Sequence, residues 1–415
     1  MPRLSPTNLG ANVPSIDFIL LACVCALVSL GLVMICSASM DYASERYGDA
    51  LFHTRRHLVY IVIASIAAVI AFKTPLSVWE KSGPYLLIAS FVILSLILIP
   101  GFGRSANGAT RWLALGPFTL QGSEVAKLGV IVYLGNYLVR QHDLVRGHLL
   151  GFIIPFLIMS VFVTLLILEP DFGAVVVLSG AALGMLFLGG ARVWEFCLSS
   201  IGLAIFGFFV ISSSDYRMQR LYAYLDPWAD QFGEGYQLTQ SLIAFGRGDW
   251  FGLGLGNSIQ KLFYLPEAHT DFVFAIMAEE LGFVGCLAAL FIYVVFIGRI
   301  LVIARKAESM GRAFGAYVAY GVALVFSAQL IINVSVNIGL LPTKGLTLPF
   351  LSYGGSSLLV SCVLAALIMR IHRELMFEEA DASVKKYGVR GTRDLLTDLQ
   401  STTKRSQRAA GGMHA

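Results

Sequence analysis

The chain has 415 residues, a net charge of +4, 57% hydrophobic against 13% charged residues, and a mean hydropathy of +0.74. That balance excludes a soluble globular enzyme and a disordered chain, and leaves an all-α polytopic integral membrane protein. All six cysteines, Cys23, Cys25, Cys36, Cys197, Cys286 and Cys362, lie in apolar runs, where a thiol acts as a small hydrophobe; neither a disulfide framework nor a metal-ligand spacing is visible.

Windows of about 19 residues place ten spans in order near residues 17–38, 57–73, 84–100, 124–140, 149–168, 172–190, 195–213, 272–304, 314–338 and 354–372. The first follows Arg3 and Asp17 and is read as retained rather than cleaved. Only Glu169-Pro170-Asp171 separates the fifth span from the sixth, so one broken segment is the alternative there and the count is about ten; Pro155 predicts a kink. The organisation is then a short N-terminus 1–16, a ten-helix membrane domain 17–372 with a large outer loop 214–271 between helices 7 and 8, and a polar tail 373–415. The tail carries Lys385, Lys386, Arg390, Lys404, Arg405 and Arg408 and is expected to be cytoplasmic and partly disordered. Its bases are mixed with Glu378, Glu379, Asp381, Asp394 and Asp398 and no nucleic-acid motif is present, so nucleic acid is set aside as a partner.

Orientation follows from the short connections 73–83, 139–148, 190–195 and 299–313, which hold Lys73, Lys81, Arg140, Arg146, Arg192, Arg299, Arg305, Lys306 and Arg312. By the positive-inside rule these face the cytoplasm, and the alternate connections 39–56, 101–123, 214–271 and 339–353 face outward. In 101–123, Arg111 suits bidentate phosphate binding and Trp112 a sugar face, although Trp and Arg together also make an ordinary interfacial anchor. Ser123 and Glu124 read as an N-cap and a first-turn acid, whereas Lys127, one turn into its span, requires snorkelling or a buried acidic partner. The glycines of GLGLGNS, without a preceding buried strand, indicate tight turns or close backbone packing. Gly354-Gly355-Ser356-Ser357 presents N–H groups to an anion or lets helices approach closely.

The densest polar cluster is 265–282, LPEAHTDFVFAIMAEELG, with Glu267, His269, Asp271, Glu279 and Glu280 at the start of a long apolar run. Carboxylates at a hydrocarbon boundary are costly, so these serve capping or chemistry. In the capping reading, Thr270 or Asp271 is the N-cap and Glu267 and His269 are wet loop residues.

Four segments together resemble one family: NGATRWLALGPFTLQGSEVAKL at 107–128, LEPDFG at 168–173, LPEAHTDFVFAIMAEELG at 265–282 and LPTKGLTLPFLSYGGSS at 341–357. These are similar to the signature stretches of the SEDS family (shape, elongation, division and sporulation), and Thr343-Lys344-Gly345 with Leu346-Thr347-Leu348-Pro349 is more similar to its division branch than to its elongation branch. The resemblance implies a peptidoglycan glycosyltransferase that polymerises lipid II, the lipid-linked disaccharide-peptide, on the outer face of the bacterial cytoplasmic membrane at the division septum. It also implies a class B penicillin-binding protein and other division proteins as partners, and places the family's essential acid on Asp271.

The residues agree with that implication. A sugar hydroxyl attacking an anomeric carbon needs a base, and a lipid diphosphate leaves as a stabilised anion if cations are near, so one carboxylate suffices. Asp271 is the candidate base; Arg111, Lys127 and Lys344 are candidate cations, with His269, Glu267 and Ser356 as further substrate-binding candidates. A divalent cation is left open as a sharer of the cationic role, with no His/Cys/Asp cluster to mark a site for it. Two other functions compete: a flippase for lipid-linked precursors, which predicts charges along a path through the membrane, and a non-catalytic scaffold of a division complex. A transferase predicts a cluster at one face, which the distribution of polar residues fits better.

Overall fold

The computed structural model describes residues 16–106, 109–116, 118–212, 215–343 and 345–410. The first three helices are α1 (Phe18–Tyr47), α2 (Phe52–Lys73) and α3 (Leu76–Ile97), followed by strands β1 (Gly103–Ala106), β2 (Ala109–Leu115) and β3 (Phe118–Gln121). Next come α4 (Gly122–Arg140), α5 (His142–Gly147), α6 (Leu150–Leu168), α7 (Phe172–Leu188) and α8 (Val193–Ser212). The long connection that follows contains α9 (Asp215–Leu225) and α10 (Tyr236–Gly248), and the chain ends with α11 (Val273–Ser309), α12 (Ala313–Asn337) and α13 (Gly355–Ala410).

Each of the ten expected spans coincides with a helix. Among the described residues, seven helices are long and apolar enough to cross a membrane, and α7 and the apolar part of α8 are shorter apolar helices. The tenth, α4, carries Glu124 and Lys127 inside an otherwise apolar sequence. Most of these helices are apolar nearly all round, as expected where both lipid and neighbouring helices are apolar and the backbone must satisfy its own hydrogen bonds. α12 is buried over much of its length and packs on α4, α7, α10 and α11.

Two features depart from a purely helical reading. The strands β1, β2 and β3 form a three-stranded antiparallel sheet in that order, with Leu113 opposite Leu120 and Trp112 opposite Gln121. The large connection is also more than a loop: α10 buries Leu238, Thr239, Ser241, Ala244 and Gly248 on one face, and packs against α11.

The segment after α12 is irregular yet runs through the interior, with Leu348, Phe350 and Leu351 buried. Its backbone polar groups find partners: Ser352 Oγ accepts from the Leu348 N–H at 2.8 Å and the His269 carbonyl accepts from the Tyr353 N–H at 2.9 Å. Phe350 packs with Phe296 and Phe326 at centroid distances of 5.6 Å, and Gly31 of α1 is the residue that lets the Phe350 carbonyl approach.

α11 is broken at Gly282, whose φ of 69° and ψ of −171° are not helical. Residues 249–254 fill the break. Asp249 and Trp250 carbonyls accept from the Phe283 and Val284 N–H groups at 2.9 and 3.1 Å, and the Leu253 and Gly254 N–H groups donate to the Glu279 and Glu280 carbonyls at 3.0 Å each. Gly252 (φ 75°) lies against the Glu280 carbonyl and Gly282, where no side chain fits, so this part of the glycine-rich stretch is close backbone packing.

Residues 18–371 form one compact unit. A second unit contains Asp17 and the chain from His372, with His372 Nδ1 3.8 Å from the Asp17 carboxylate.

Candidate active site

Asp271 stands two residues before α11, and its side chain is not the cap of that helix. The N-cap is Phe272, with no side-chain capping bond. Thr270, the other expected cap, instead donates its hydroxyl to the Glu267 carbonyl and to Glu267 Oε2 at 2.7 Å. Glu267 itself adopts a left-handed φ of 56°, which turns the chain so that its carbonyl also accepts from the Thr270 and Phe272 N–H groups. Among the described residues, no hydrogen bond reaches the half-buried Asp271 carboxylate.

The residues beyond it come from β2 and the α6–α7 turn. Arg111, on β2, donates through Nη2 to the Pro170 carbonyl and through Nε to the Glu169 carbonyl at 3.4 Å. Gly345 lies between the two charged groups: a Cβ there would stand 3.1 Å from Asp271 Oδ2 and 3.5 Å from Arg111 Nη1. Asp171 is the N-cap of α7, accepting from the Ala174 N–H at 3.4 Å, the Ser123 hydroxyl at 2.8 Å and Gln121 Nε2 at 3.2 Å. Ser123 is therefore not the cap of α4; that position is Gln121.

Burial, then the Glu267 carboxylate, pushes the Asp271 carboxyl up to about 7; Arg111 opposes the shift and Asp171 adds to it. Glu169, fully buried with no hydrogen bond to either carboxyl oxygen, is pushed up to about 8 by burial and by Asp171, against the pull of Arg111. Around neutral pH Glu169 is thus a neutral acid.

The other expected site residues are placed differently. Lys127 Nζ is 2.7 Å from Glu124 Oε2, and both side chains are buried, so the acidic partner that its position required lies three residues earlier. The Ser356 hydroxyl donates to the Thr119 carbonyl and accepts from the Gln121 N–H, each at 3.0 Å, which ties α13 to β3. Gly355 permits close approach, since a Cβ there would meet the Tyr60 ring at 2.8 Å. His269 joins an aromatic cluster with Tyr42, His53 and Tyr353, and its imidazole is pushed down by burial against the opposing effect of Glu267. Lys344 lies outside the described residues. Glu279, the next acid after Asp271 to weigh as a base, accepts from Arg247 Nε at 2.9 Å, the Ser258 hydroxyl, and the Ile259 and Gln260 N–H groups at 3.2 Å each. Among the described residues no group of three or more His, Cys, Asp or Glu is arranged to hold a metal ion.

A carboxyl that titrates near neutrality has the protonation balance of a general base, and a guanidinium on the far side of one glycine stabilises an anion formed nearby. Asp271 and Arg111, the base and one of the cations expected from the sequence, are brought to the same glycine. The sequence marks Glu169 and Asp171 as a charged turn between spans and part of a family signature, but does not show that they stand beside Arg111, or that Gly345 lies against both Asp271 and Arg111.

A family model described as "Cell cycle protein", covering FtsW, RodA and SpoVE, matches residues 17–376. The chain belongs to this family, the one the sequence resemblance named as SEDS. Its SEDS relatives include the "Probable peptidoglycan glycosyltransferase FtsW" of Nitrosococcus halophilus (strain Nc4), 51% identical over 91% of this chain and 97% of the relative. That of Pseudomonas fluorescens (strain SBW25) is 48% identical over 92% of this chain and 95% of the relative. Among solved structures, a chain from a peptidoglycan synthase complex, studied for the coordination of polymerization and crosslinking, superposes with a TM-score of 0.72 at 27% identity, over 87% of this chain and 98% of that one. The rod shape determining protein RodA of Thermus thermophilus gives 0.64 at 26% identity, over 88% and 98%. The helical multi-pass membrane architecture expected from the sequence is thus the SEDS architecture.

Proposed function

We propose that this protein is a peptidoglycan glycosyltransferase that polymerises lipid II into glycan strands for cell division, with Asp271 as general base. The observation that carries the assignment to a reacting group is the Asp271 carboxyl, pushed up to about 7 and free of hydrogen bonds among the described residues, with Arg111 across Gly345. The acceptor sugar hydroxyl loses its proton to Asp271 as its oxygen bonds to the anomeric carbon of the donor. The bond from that carbon to the lipid diphosphate breaks, and the diphosphate takes the electron pair. Arg111 stabilises the departing anion, and Lys344, the next residue before Gly345, is assigned the same role.

Several buried ionisable groups gather at helix ends: the start of α4, the α6–α7 turn and the approach to α11. This supports a transferase at one face rather than a carrier with charges along a path. With the basic connections inside, that face is the outer one of the bacterial cytoplasmic membrane, and the place of action is the septum. A class B penicillin-binding protein is the partner that would crosslink the strands. Purified protein given lipid II in detergent, with that partner, should form polymer resolvable on a gel. Polymer from wild type and none from Asp271→Asn is the expected result; equal polymer from both removes Asp271 from the mechanism.

A further inference from the structure

Two asparagines one turn apart on α12 hold the segment that carries Asp271. Asn333 is 2% exposed and Asn337 fully buried. Both donate through Nδ2 to the Asp271 carbonyl, at 3.0 and 3.1 Å. The second hydrogen of the Asn333 amide goes to the Leu346 carbonyl at 2.6 Å. Since both of its neighbours are carbonyls, the Asn333 amide can be oriented only with its nitrogen toward them. Asn337 uses its oxygen as well, accepting at 3.1 Å from the Ala275 N–H in the first turn of α11, a donor it shares with the Phe272 carbonyl at 3.0 Å. The Ser241 hydroxyl of α10 donates to the Asn337 carbonyl at 2.7 Å and fixes that residue from the other side.

An Asp just before a helix would ordinarily spend its carboxylate on the first turn. Here the neighbouring helix supplies that cap, and the Asp271 carboxylate is released from it. The Leu346 bond adds a second constraint. Leu346 packs over Gly173 in the first turn of α7, and it follows Gly345, which separates Asp271 from Arg111. One amide therefore grips both the strand of chain bearing the base and the strand that spaces it from the cation.

We propose that Asn333 and Asn337 are the positioning residues of this site: Asn337 caps α11 in place of Asp271, and Asn333 sets the separation of the Asp271 carboxylate from Arg111. This rests on the reading of Asp271 as the base. Neither amide touches substrate; both act through backbone carbonyls.

The test uses full-length Asn333→Ala, Asn337→Ala and Asn337→Asp with the transpeptidase partner, lipid II as substrate, and folded protein quantified by thermal unfolding in detergent. Asn337→Asp keeps an acceptor for the Ala275 N–H and loses the donor to the Asp271 carbonyl, so it preserves a cap but not the position. The expected result is a fall in kcat of about 10²-fold per folded molecule in Asn333→Ala and Asn337→Asp, the scale of a misplacement of about 1 Å. KM for lipid II should change little, and the acid limb of the kcat–pH profile should shift. Recovery of wild-type kcat by Asn337→Asp would make Asn337 a cap alone and overturn its positioning role; wild-type kcat in folded Asn333→Ala would do the same for Asn333. Loss of fold in all three would make the pair a folding element and also overturn the proposal. Asp271→Asn run alongside separates the two readings: full activity there sinks the base assignment, whatever the asparagine variants do.

Discussion

Asp271 and Glu279 lie eight residues apart at the start of the same helix, and the protein treats their carboxylates in opposite ways. Glu279 is fully buried and accepts four hydrogen bonds, from Arg247, Ser258 and two backbone amides. Its neighbour Glu280 is held by Lys261 at 3.0 Å and by Ser37 at 2.6 Å. Asp271 receives no hydrogen bond to its carboxylate among the described residues, and its proton is retained up to about 7. A saturated buried carboxylate is a fixed anion that anchors the chain. An unsatisfied one holds its proton loosely enough to exchange it near neutral pH.

That contrast is broken most directly at Asp271. Asp271→Asn should lower polymerisation by roughly 10²–10⁴-fold while leaving stability in detergent within about 1 kcal/mol, checked by lipid II polymer gels and thermal unfolding of one preparation. Glu279→Ala should do the reverse. Removing the carboxylate leaves the Ser258 hydroxyl and the Ile259 and Gln260 N–H groups without that acceptor, at about 1–3 kcal/mol for each group left buried and unsatisfied, so unfolding should come at much lower denaturant, with activity per folded molecule retained. If Glu279→Ala abolishes activity without loss of stability, the roles of the two acids are exchanged.

Arg111 sharpens the comparison from the cation side, because it is tied to the Pro170 and Glu169 carbonyls as well as facing Asp271 across Gly345. Arg111→Gln should therefore cost about 1.5–3 kcal/mol of stability, the scale of charge-assisted hydrogen bonds, together with a fall in kcat.

The pH dependence has two opposite signs. The proposed base acts in its deprotonated form, so with Asp271 in that role kcat should fall about tenfold per pH unit below about 7 and level off above it. Stability moves the other way: between about 4 and 7 the folded chain keeps a proton that the unfolded chain has released, so this group's contribution is lost as pH rises. A flat kcat between pH 5 and 7 would remove the base from Asp271. The smallest effect is expected at Glu169, which is neutral below about 8. Glu169→Gln replaces a protonated acid by a neutral group of the same shape and should change stability at pH 7 by less than about 1 kcal/mol. A large loss there would mean that the carboxylate is ionised and paired.

The ten spans were readable because hydropathy is a local property of the chain. Lys127 was nearly readable, since its partner Glu124 is three residues away, although that acid was taken for a first-turn acid alone. The three-stranded sheet before α4 escaped because its strands have only 4, 7 and 4 residues and lack a sustained alternation. The cap of α11 was illegible for a different reason: it comes from Asn337, 62 residues beyond Ala275. The partners of Ser356 were illegible for the same reason, its hydroxyl bonding to Thr119 and Gln121 far earlier in the chain. A sequence shows which polar groups need partners, but long-range topology decides which of them remain free for chemistry.

The backbone splice at Gly282 limits how the large connection can move. Residues 249–254 complete the broken α11 through four backbone hydrogen bonds, and the close approach of Gly252 to Gly282 leaves no room for a side chain. Lifting that segment would strand four peptide groups at the end of a membrane helix, at a cost of about 1–3 kcal/mol for each group left unsatisfied. It therefore behaves as masonry rather than as a door. Any closing of the connection over bound lipid has to come from its other parts, hinged on either side of a splice that stays fixed to the helix.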